Sequence, residues 1–160
     1  MSYLEKYDKY KTRYSALLQF GGEILLDISY DGVPVQPTME LSKVQNAPSI
    51  KILDKGLHTL LLVDPDASAG TWLHWMLINN TDQVVSYYPP TPPAGSGPHR
   101  YTFILYKQQG PLVGLTQRSS ADRFPIRVEP VERGNFDAHS FAEKYNLQKI
   151  AKKVFIAEKI

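Results

Sequence analysis

Residues 60–75 read LLLVDPDASAGTWLHW, and this stretch decides the fold. An apolar run ends at an Asp-Pro-Asp turn, because Pro65 has no backbone N–H with which to extend a strand ladder. A short Ser/Gly loop then leads into a second apolar run that carries one histidine. The pattern predicts two buried strands, residues 58–63 and 72–79, whose ends meet at one end of a sheet.

Composition favours a β-rich fold around these strands. The chain has 160 residues, of which 42% are hydrophobic and 21% are charged, and it contains 10 Tyr and 12 Pro. This size and balance predict a single domain over residues 1–160. The Tyr and Pro content favours strands and turns over a helical bundle.

Charge and cysteine content narrow the classes of function. The formal net charge of +2 is too small to indicate direct binding of nucleic acid. The chain contains no cysteine, which excludes a disulfide framework, a thiolate nucleophile and a Cys-based metal site. The first residues, MSYLEKYDKYK, lack the apolar core of a signal peptide, and no apolar run approaches the roughly 20 residues of a membrane span. We therefore expect a cytoplasmic protein without a transmembrane anchor.

Further strands are predicted on both sides of the opening stretch. A tyrosine stripe at three- and four-residue spacing predicts an N-terminal helix, residues 3–20, that packs on the domain. Asp31-Gly32 is a hairpin turn signal. Residues 101–108 are expected to form another buried strand, and residues 154–160 a last strand.

The C-terminal third predicts one short helix. Asn135 or Asp137 is expected to cap a helix that runs through residue 147, and the polar residues 110–124 are expected to form a loop. Many short strands with helices near the two ends predict a mainly β fold, an antiparallel β-sandwich with a few peripheral helices.

Alternation across the second strand assigns side chains to faces. Because successive side chains of a strand point to opposite sides of the sheet, one face is expected to carry Trp72, His74, Met76 and Ile78. By the same argument, His99 and Tyr101 share a face of a later strand.

Five polar side chains are expected to converge at one end of these strands. Asp64 and Asp66 lie in the turn, His74 lies on the strand that follows it, and His99 and Tyr101 start the later strand. Each residue alone also fits a structural role, since an Asp before Pro often caps its own turn and a histidine in an apolar strand is often structural. The set as a whole indicates a small polar pocket.

The loop PPTPPAGSGP, residues 89–98, adds backbone donors to this pocket. Gly95 and Gly97 are expected to leave amide N–H groups free to face an anion. Imidazole and phenol groups donate to phosphate oxygens, whereas a carboxylate would hold a histidine protonated or pair with an ammonium. A zwitterion with one phosphate and one ammonium would match this inventory.

At these residues the chain resembles the phosphatidylethanolamine-binding protein family, which includes the Raf kinase inhibitor protein and florigen-type plant regulators. The first family signature stands as Asp64-Pro65-Asp66-Ala67-Ser68, with His74 in Trp72-Leu73-His74-Trp75. The second stands as Gly97-Pro98-His99-Arg100-Tyr101, preceded by Pro92-Pro93. Further similarity lies at Arg133-Gly134-Asn135-Phe136 and around Phe141 and Tyr145.

The resemblance implies a β-sandwich with a pocket for phosphate-like groups, including the phosphoethanolamine head group. Carried over by motif, the ligand-binding residues would be Asp64, Asp66, His74, Pro92, Gly97, His99 and Tyr101, with Trp72 in the wall. This chain departs from the family at Ser68, where a second proline is usual, and at Leu73, where animal members often carry histidine. It also stops at Ile160, where animal members continue into a further helix, so a more open pocket is expected.

The resemblance implies a regulator and not an enzyme. We expect binding of a phosphate-containing ligand or phospholipid head group and of a protein partner such as a kinase or another signalling protein. No catalytic residue, metal or cofactor is expected. Two alternatives stay open: a pure protein-interaction module with a vestigial pocket, and a hydrolase in which the histidines and carboxylates hold a metal or act by acid–base catalysis.

Overall fold

The computed structural model describes residues 25–117 and 129–160. The predicted helix at residues 3–20 lies outside the described residues. Ten strands, one α-helix and a short 3₁₀ turn at Leu41–Lys43 make up the described part. In chain order these elements are β1 (Leu26–Tyr30), β2 (Val33–Pro34), β3 (Ser49–Ile52), β4 (His58–Asp64), β5 (Trp72–Ile78), β6 (Asp82–Val85), β7 (His99–Lys107), β8 (Leu115–Gln117), β9 (Glu129–Val131), α1 (Ala138–Lys144) and β10 (Gln148–Ala157).

The largest sheet has five strands in the order β10-β7-β4-β5-β6, and every neighbouring pair is antiparallel. Strand β4 lies in the middle, and all seven of its residues are buried. Its apolar run from Leu60 to Val63 reflects this position, because a strand covered on both faces has no solvent side on which to place polar residues. The prediction of a strand buried on both faces is confirmed.

A three-stranded sheet in the order β2-β1-β3 covers one face of the large sheet. Asp31 and Gly32 form the β1–β2 turn with φ angles of 49° and 78°, the left-handed conformation that a tight hairpin requires. In β1 every second residue is buried. The predicted hairpin and the predicted antiparallel sandwich are therefore confirmed.

Aromatic and aliphatic side chains fill the space between these two sheets. Strand β7 contributes Tyr101, Phe103 and Leu105, and strand β10 contributes Phe155, all of them fully buried. The ring of Phe155 lies 5.3 Å from that of Tyr101, centroid to centroid. This layer therefore extends to the end of β7 where the candidate pocket residues lie.

The helix and a small parallel strand pair cover the opposite face. Helix α1 begins after Asp137, whose carboxylate accepts a hydrogen bond of 3.0 Å from the Ser140 amide, so Asp137 is the cap. Strands β8 and β9 are parallel, and they lie partly where the sequence predicted a loop at residues 110–124. That prediction was wrong for Leu115–Gln117, because this segment has no apolar alternation of its own and pairs with a strand more than ten residues away.

Strand β10 begins at Gln148 and not at residue 154, as the sequence pattern had predicted. Its first half is rich in lysine, and the ladder with β7 is interrupted by a bulge at Ile150. Lysines and bulges are typical of strands at the edge of a sheet, where they block pairing with other chains. Because of them, the first half of β10 lacks the period-two pattern that marks the second half of the strand.

Phe155 and Ile156 offer a matched test of this packing. Phe155→Ala removes a fully buried ring from between the sheets and is expected to lower the free energy of unfolding by about 3–5 kcal/mol. Ile156→Ala, on the exposed side of the same strand, should cost only about 1 kcal/mol or less. Urea denaturation of both variants measures the difference, and equal losses would contradict the assignment of faces.

Candidate functional site

The candidate site lies where β4 ends and where β5 and β7 begin. Strand β4 is hydrogen-bonded to both of the others, and Asp64 at its end pairs with Trp72 at the start of β5. On the other side Val63 pairs with Thr102, so His99 and Tyr101 reach the same end of the sheet. Antiparallel pairing thus brings together residues that lie up to 37 positions apart in the chain, from Asp64 to Tyr101.

A buried hydrogen bond joins the two signature motifs. Nδ1 of His99 lies 2.8 Å from Oδ2 of Asp64, and both residues are only 4% exposed. The other carboxylate oxygen of Asp64 accepts a bond of 2.8 Å from the Asp66 amide and closes the turn. Since an ionised carboxylate only accepts hydrogen bonds, Nδ1 of His99 is the donor and carries a hydrogen.

The outer nitrogen of His99 faces a serine that the sequence analysis did not select. Oγ of Ser96 lies 3.0 Å from Nε2 of His99 and 2.7 Å from the carbonyl oxygen of Pro93. Ser96 stands between Gly95 and Gly97, whose φ angles are 77° and 84°. Its position three residues before the histidine, in a Gly-Ser-Gly turn, is the signal that could have identified it.

The two glycines of this turn differ in their hydrogen bonding. The Gly95 amide donates to the carbonyl oxygen of Lys159 over 3.1 Å, so the prediction that it is free for an anion was wrong. The C-terminal residues pass close to the loop, a long-range contact that local sequence does not reveal. For the Gly97 amide, no acceptor is found among residues 25–117 and 129–160.

Tyr101 lies at the centre of the cluster. Its ring is fully buried, stacks on the His99 ring at 6.3 Å and meets the His74 ring edge-on at 5.4 Å. Within the described part of the chain, its hydroxyl is the one buried side-chain polar atom without a hydrogen-bond partner. Burial raises the pKa of Tyr101, with a smaller contribution from Asp64, so the phenol keeps its proton and remains a donor.

His74 reaches this cluster because of a β-bulge. Leu62 pairs with Trp75 and Val63 pairs with Leu73, so His74 is the extra residue of β5 and has no partner on β4. The bulge reverses the alternation, and the prediction that His74 shares a face with Met76 and Ile78 was wrong. Both of those residues pack in the layer under α1.

The hydrogen bonding of His74 defines its free nitrogen. Nδ1 lies 2.7 Å from the carbonyl oxygen of Tyr88 and must donate to it. Burial lowers the pKa of His74, which favours the neutral ring. In the neutral ring Nε2 carries a lone pair and can accept a hydrogen bond.

Arg133 supports the bulge, and the sequence analysis had placed it only in a motif outside the site. Its guanidinium donates to the carbonyl oxygens of Leu73, His74 and Ser86 over 3.1, 3.0 and 2.7 Å. Strand β6 pairs with β5 only from Met76 onward, so the start of β5 has no neighbouring strand on that side. Arg133 takes the place of that strand together with the Tyr88 amide, which donates to the His74 carbonyl over 2.9 Å. The presence of Arg133 in a family motif was the signal that could have identified it.

Asp66 does not join the histidines. It accepts three hydrogen bonds from Arg100, from the backbone amide at 2.7 Å and from the guanidinium at 3.0 and 2.8 Å. These bonds lower the pKa of Asp66 to about 2. Its charge is thus matched by Arg100 on the surface.

The structure therefore divides the eight predicted pocket residues into two groups. Asp64, His74, His99 and Tyr101 form one buried cluster. The others flank it: Asp66 is bound to Arg100, Trp72 pairs with Asp64 and approaches Gly134, Pro92 is buried in the loop, and Gly97 precedes His99. Clefts of 310, 570 and 560 Å³ lie beside α1 on the other face of the large sheet.

Residues 25–117 and 129–160 contain neither a cluster of metal-ligating side chains nor a helix able to span a membrane. No group of three or more His, Asp or Glu side chains lies close enough together to hold a metal ion. No helix in this part of the chain has the length and apolar character required to cross a membrane.

Comparison with known proteins places this chain in a family. The family model described as phosphatidylethanolamine-binding protein matches residues 15–155. The chain is 31% identical over 147 residues to the protein FLOWERING LOCUS T of Arabidopsis thaliana, covering 80% of this chain and 75% of that protein. It is 29% identical over 125 residues to a 26 kDa secreted antigen of Toxocara canis, covering 69% of this chain and 45% of the antigen. The chain belongs to the phosphatidylethanolamine-binding protein family.

Solved structures share the fold. A carboxypeptidase Y inhibitor, complexed with its cognate proteinase, matches with a TM-score of 0.65 and 22% identity, over 98% of this chain and 94% of that one. A phosphatidylethanolamine-binding protein from Plasmodium vivax matches with a TM-score of 0.63 and 19% identity, over 88% of this chain and 91% of that one. At these identities the similarity establishes the fold alone.

The Asp66–Arg100 pair makes stability depend on pH. Because the pKa of Asp66 is lowered in the folded state to about 2, its contribution is present above the ordinary carboxyl range and is lost as the pH falls through the folded-state pKa. We expect the parent to be more stable than Asp66→Asn at neutral pH, and the difference to shrink in acid. Urea denaturation at several pH values measures it, and a difference that stays constant into acid would contradict the pairing.

Arg133 should be more important for stability than Arg100. Arg133→Ala removes the guanidinium donor from the carbonyl groups of Leu73 and Ser86 and leaves that of His74 with the Tyr88 amide alone, and we expect a loss of about 2 kcal/mol or more. Arg133→Lys keeps the charge but not the planar fork, so it should lie between Ala and the parent. Arg100→Ala removes an exposed cation and is the matched control. Urea denaturation compares the three, and equal effects of the two alanine variants would contradict the role of Arg133.

Proposed function

We propose that the chain is a non-enzymatic regulatory protein whose pocket, at Asp64, His74, His99 and Tyr101, binds phosphate-type groups. The observation that carries the proposal is the buried Tyr101 hydroxyl, which lacks a partner within the described residues. Leaving a buried donor unsatisfied costs about 1–3 kcal/mol, so such groups in a folded protein call for an explanation. A ligand oxygen that accepts this hydrogen would remove the penalty.

The neighbouring groups suit an anion with both acceptor and donor atoms. The Gly97 amide would add a second donor beside Tyr101. The free Nε2 of His74 would accept a hydrogen from a singly protonated phosphate ester, because Nδ1 is held by Tyr88. Asp64 would act through His99, which it orients and supports, instead of contacting the ligand.

The two carboxylates are poorly placed to select an ammonium group. Both oxygens of Asp64 already accept hydrogen bonds, and Asp66 is held by three bonds from Arg100. We therefore propose that phosphate determines binding and that the ethanolamine part of a phospholipid head group adds little. This differs from the sequence-based expectation that the carboxylates recognise the amine.

Regulation would act through a protein partner that contacts the surface around the pocket. In support, a fold relative is an inhibitor crystallised with its cognate proteinase, and the match to it covers 98% of this chain. A kinase or another signalling protein is the class of partner that we propose. The cytoplasmic location stays a prediction, since the relative from Toxocara canis is named a secreted antigen.

The variant Tyr101→Phe distinguishes a role of the hydroxyl in phosphate binding from a role in the stability of the fold. Removing the hydroxyl should weaken binding of inorganic phosphate by about 10-fold or more, because a hydrogen bond to a charged group is lost. The free energy of unfolding should stay the same or rise, because a buried polar atom without a partner is also removed. Nuclear magnetic resonance titration with phosphate, together with urea denaturation, measures both quantities.

Tyr106→Phe is the matched control, since Tyr106 is also buried on β7 but faces the layer under α1. It should leave phosphate binding unchanged. Phosphoethanolamine should bind the parent about as well as phosphate does. If the parent shows no shift with either ligand, the proposal is wrong and the chain is better explained as a protein-interaction module with a vestigial pocket.

A further inference from the structure

Ser96, His99 and Asp64 form a connected chain of three side chains. Oγ of Ser96 lies 3.0 Å from Nε2 of His99, and Nδ1 of the same ring lies 2.8 Å from Oδ2 of Asp64. Ser96 is exposed at the surface, whereas His99 and Asp64 are buried. A hydroxyl held by a histidine that is itself oriented by a carboxylate is the arrangement that activates serine nucleophiles.

The hydroxyl proton of Ser96 has two acceptors within reach. In neutral His99, Nδ1 carries the hydrogen that binds Asp64, so Nε2 has a lone pair toward Ser96 Oγ. The Ser96 hydroxyl donates over 2.7 Å to the Pro93 carbonyl oxygen. When its hydrogen turns to Nε2, 3.0 Å away, that carbonyl keeps the bond of 3.1 Å from the Ser96 amide. In this state the serine is poised to transfer its proton to His99.

We propose that Ser96 is a nucleophile that accepts an acyl or phosphonyl group from activated esters and fluorophosphonates. The inference concerns a single transfer to Ser96, a covalent modification site, and not turnover. It is independent of the proposed phosphate-binding function except that a bound phosphate would shield the same histidine. The exposed position of the Gly-Ser-Gly turn admits small electrophiles without a deep substrate pocket.

The transfer balances without a further reactant. Oγ of Ser96 attacks the carbonyl carbon while its proton moves to Nε2 of His99. The bond between that carbon and the leaving oxygen breaks, and the leaving oxygen takes the proton from Nε2. With a fluorophosphonate, the new bond joins Oγ to phosphorus, the P–F bond breaks, and fluoride and the proton leave.

Gly97 supplies the backbone donor that such a reaction requires. In several ester hydrolases the amide of the residue after the nucleophile stabilises the negative oxygen of the intermediate. Gly97 occupies that position after Ser96, and its amide has no acceptor among the described residues. The donor, the nucleophile and the base therefore lie within four consecutive residues of the chain, from Ser96 to His99.

Labelling of the full chain with a fluorophosphonate, followed by peptide mass mapping, tests the inference. We expect one label per chain, on Ser96, and its loss in Ser96→Ala. Ser68→Ala, an exposed loop serine with no histidine beside it, should label like the parent. His99→Gln should slow labelling by about 100-fold or more, as expected when a general base is removed, and Asp64→Asn should also slow it.

The results distinguish failure of the Ser96 nucleophile from failure of the phosphate pocket. A parent that binds phosphate but carries no label on Ser96 overturns this inference and leaves the proposed function intact. Labelling of Ser96 at the same rate in folded His99→Gln or Asp64→Asn also overturns it. Labelling that depends on His99 but is not slowed by inorganic phosphate supports the nucleophile and counts against the anion pocket.

Discussion

Burial of both faces of strand β4 is the constraint on which the other elements depend. Each face of this strand must be covered, and the three-stranded sheet covers one while α1 and the β8–β9 pair cover the other. The cost of burying polar groups keeps β4 apolar from Leu60 to Val63, and the last residue, Asp64, needs a partner because it is buried. His99 is that partner, so the same strand that organises the core also positions the polar cluster at its end.

The polar cluster is held by contacts that cross the chain. Arg133 donates to the backbone at the start of β5, the Lys159 carbonyl oxygen accepts a hydrogen bond from the Gly95 amide, and Phe155 stacks on Tyr101. Each contact joins segments that are far apart in sequence, so the geometry of the cluster depends on the complete sandwich. The resulting site combines a fixed histidine, a neutral histidine and a phenol donor in a buried environment, where a hydrogen bond to an anion is stronger than in water.

Sequence patterns predicted the parts of the fold that local physics determines. Three features could be predicted because each depends on neighbouring residues: the apolar run of β4, the positive-φ turn at Asp31-Gly32 and the Asp137 cap. The parallel β8–β9 pair and the early start of β10 were not readable, because pairing partners decided them. The bulge at His74 was missed for a related reason: strict alternation assumes equal residue numbers on both strands.

The sequence by itself determined the mainly β class, the family and the inventory of histidines, carboxylates and tyrosine near one turn, since these follow from composition and ordered motifs. Only the tertiary structure decided how that inventory divides. Asp64 is hydrogen-bonded to His99, Asp66 is paired with Arg100, and the Ser96 hydroxyl lies beside Nε2 of His99. The physical reason is that a hydrogen bond depends on distances of about 3 Å between atoms whose positions are set by strand register and loop conformation, which residue type alone does not specify.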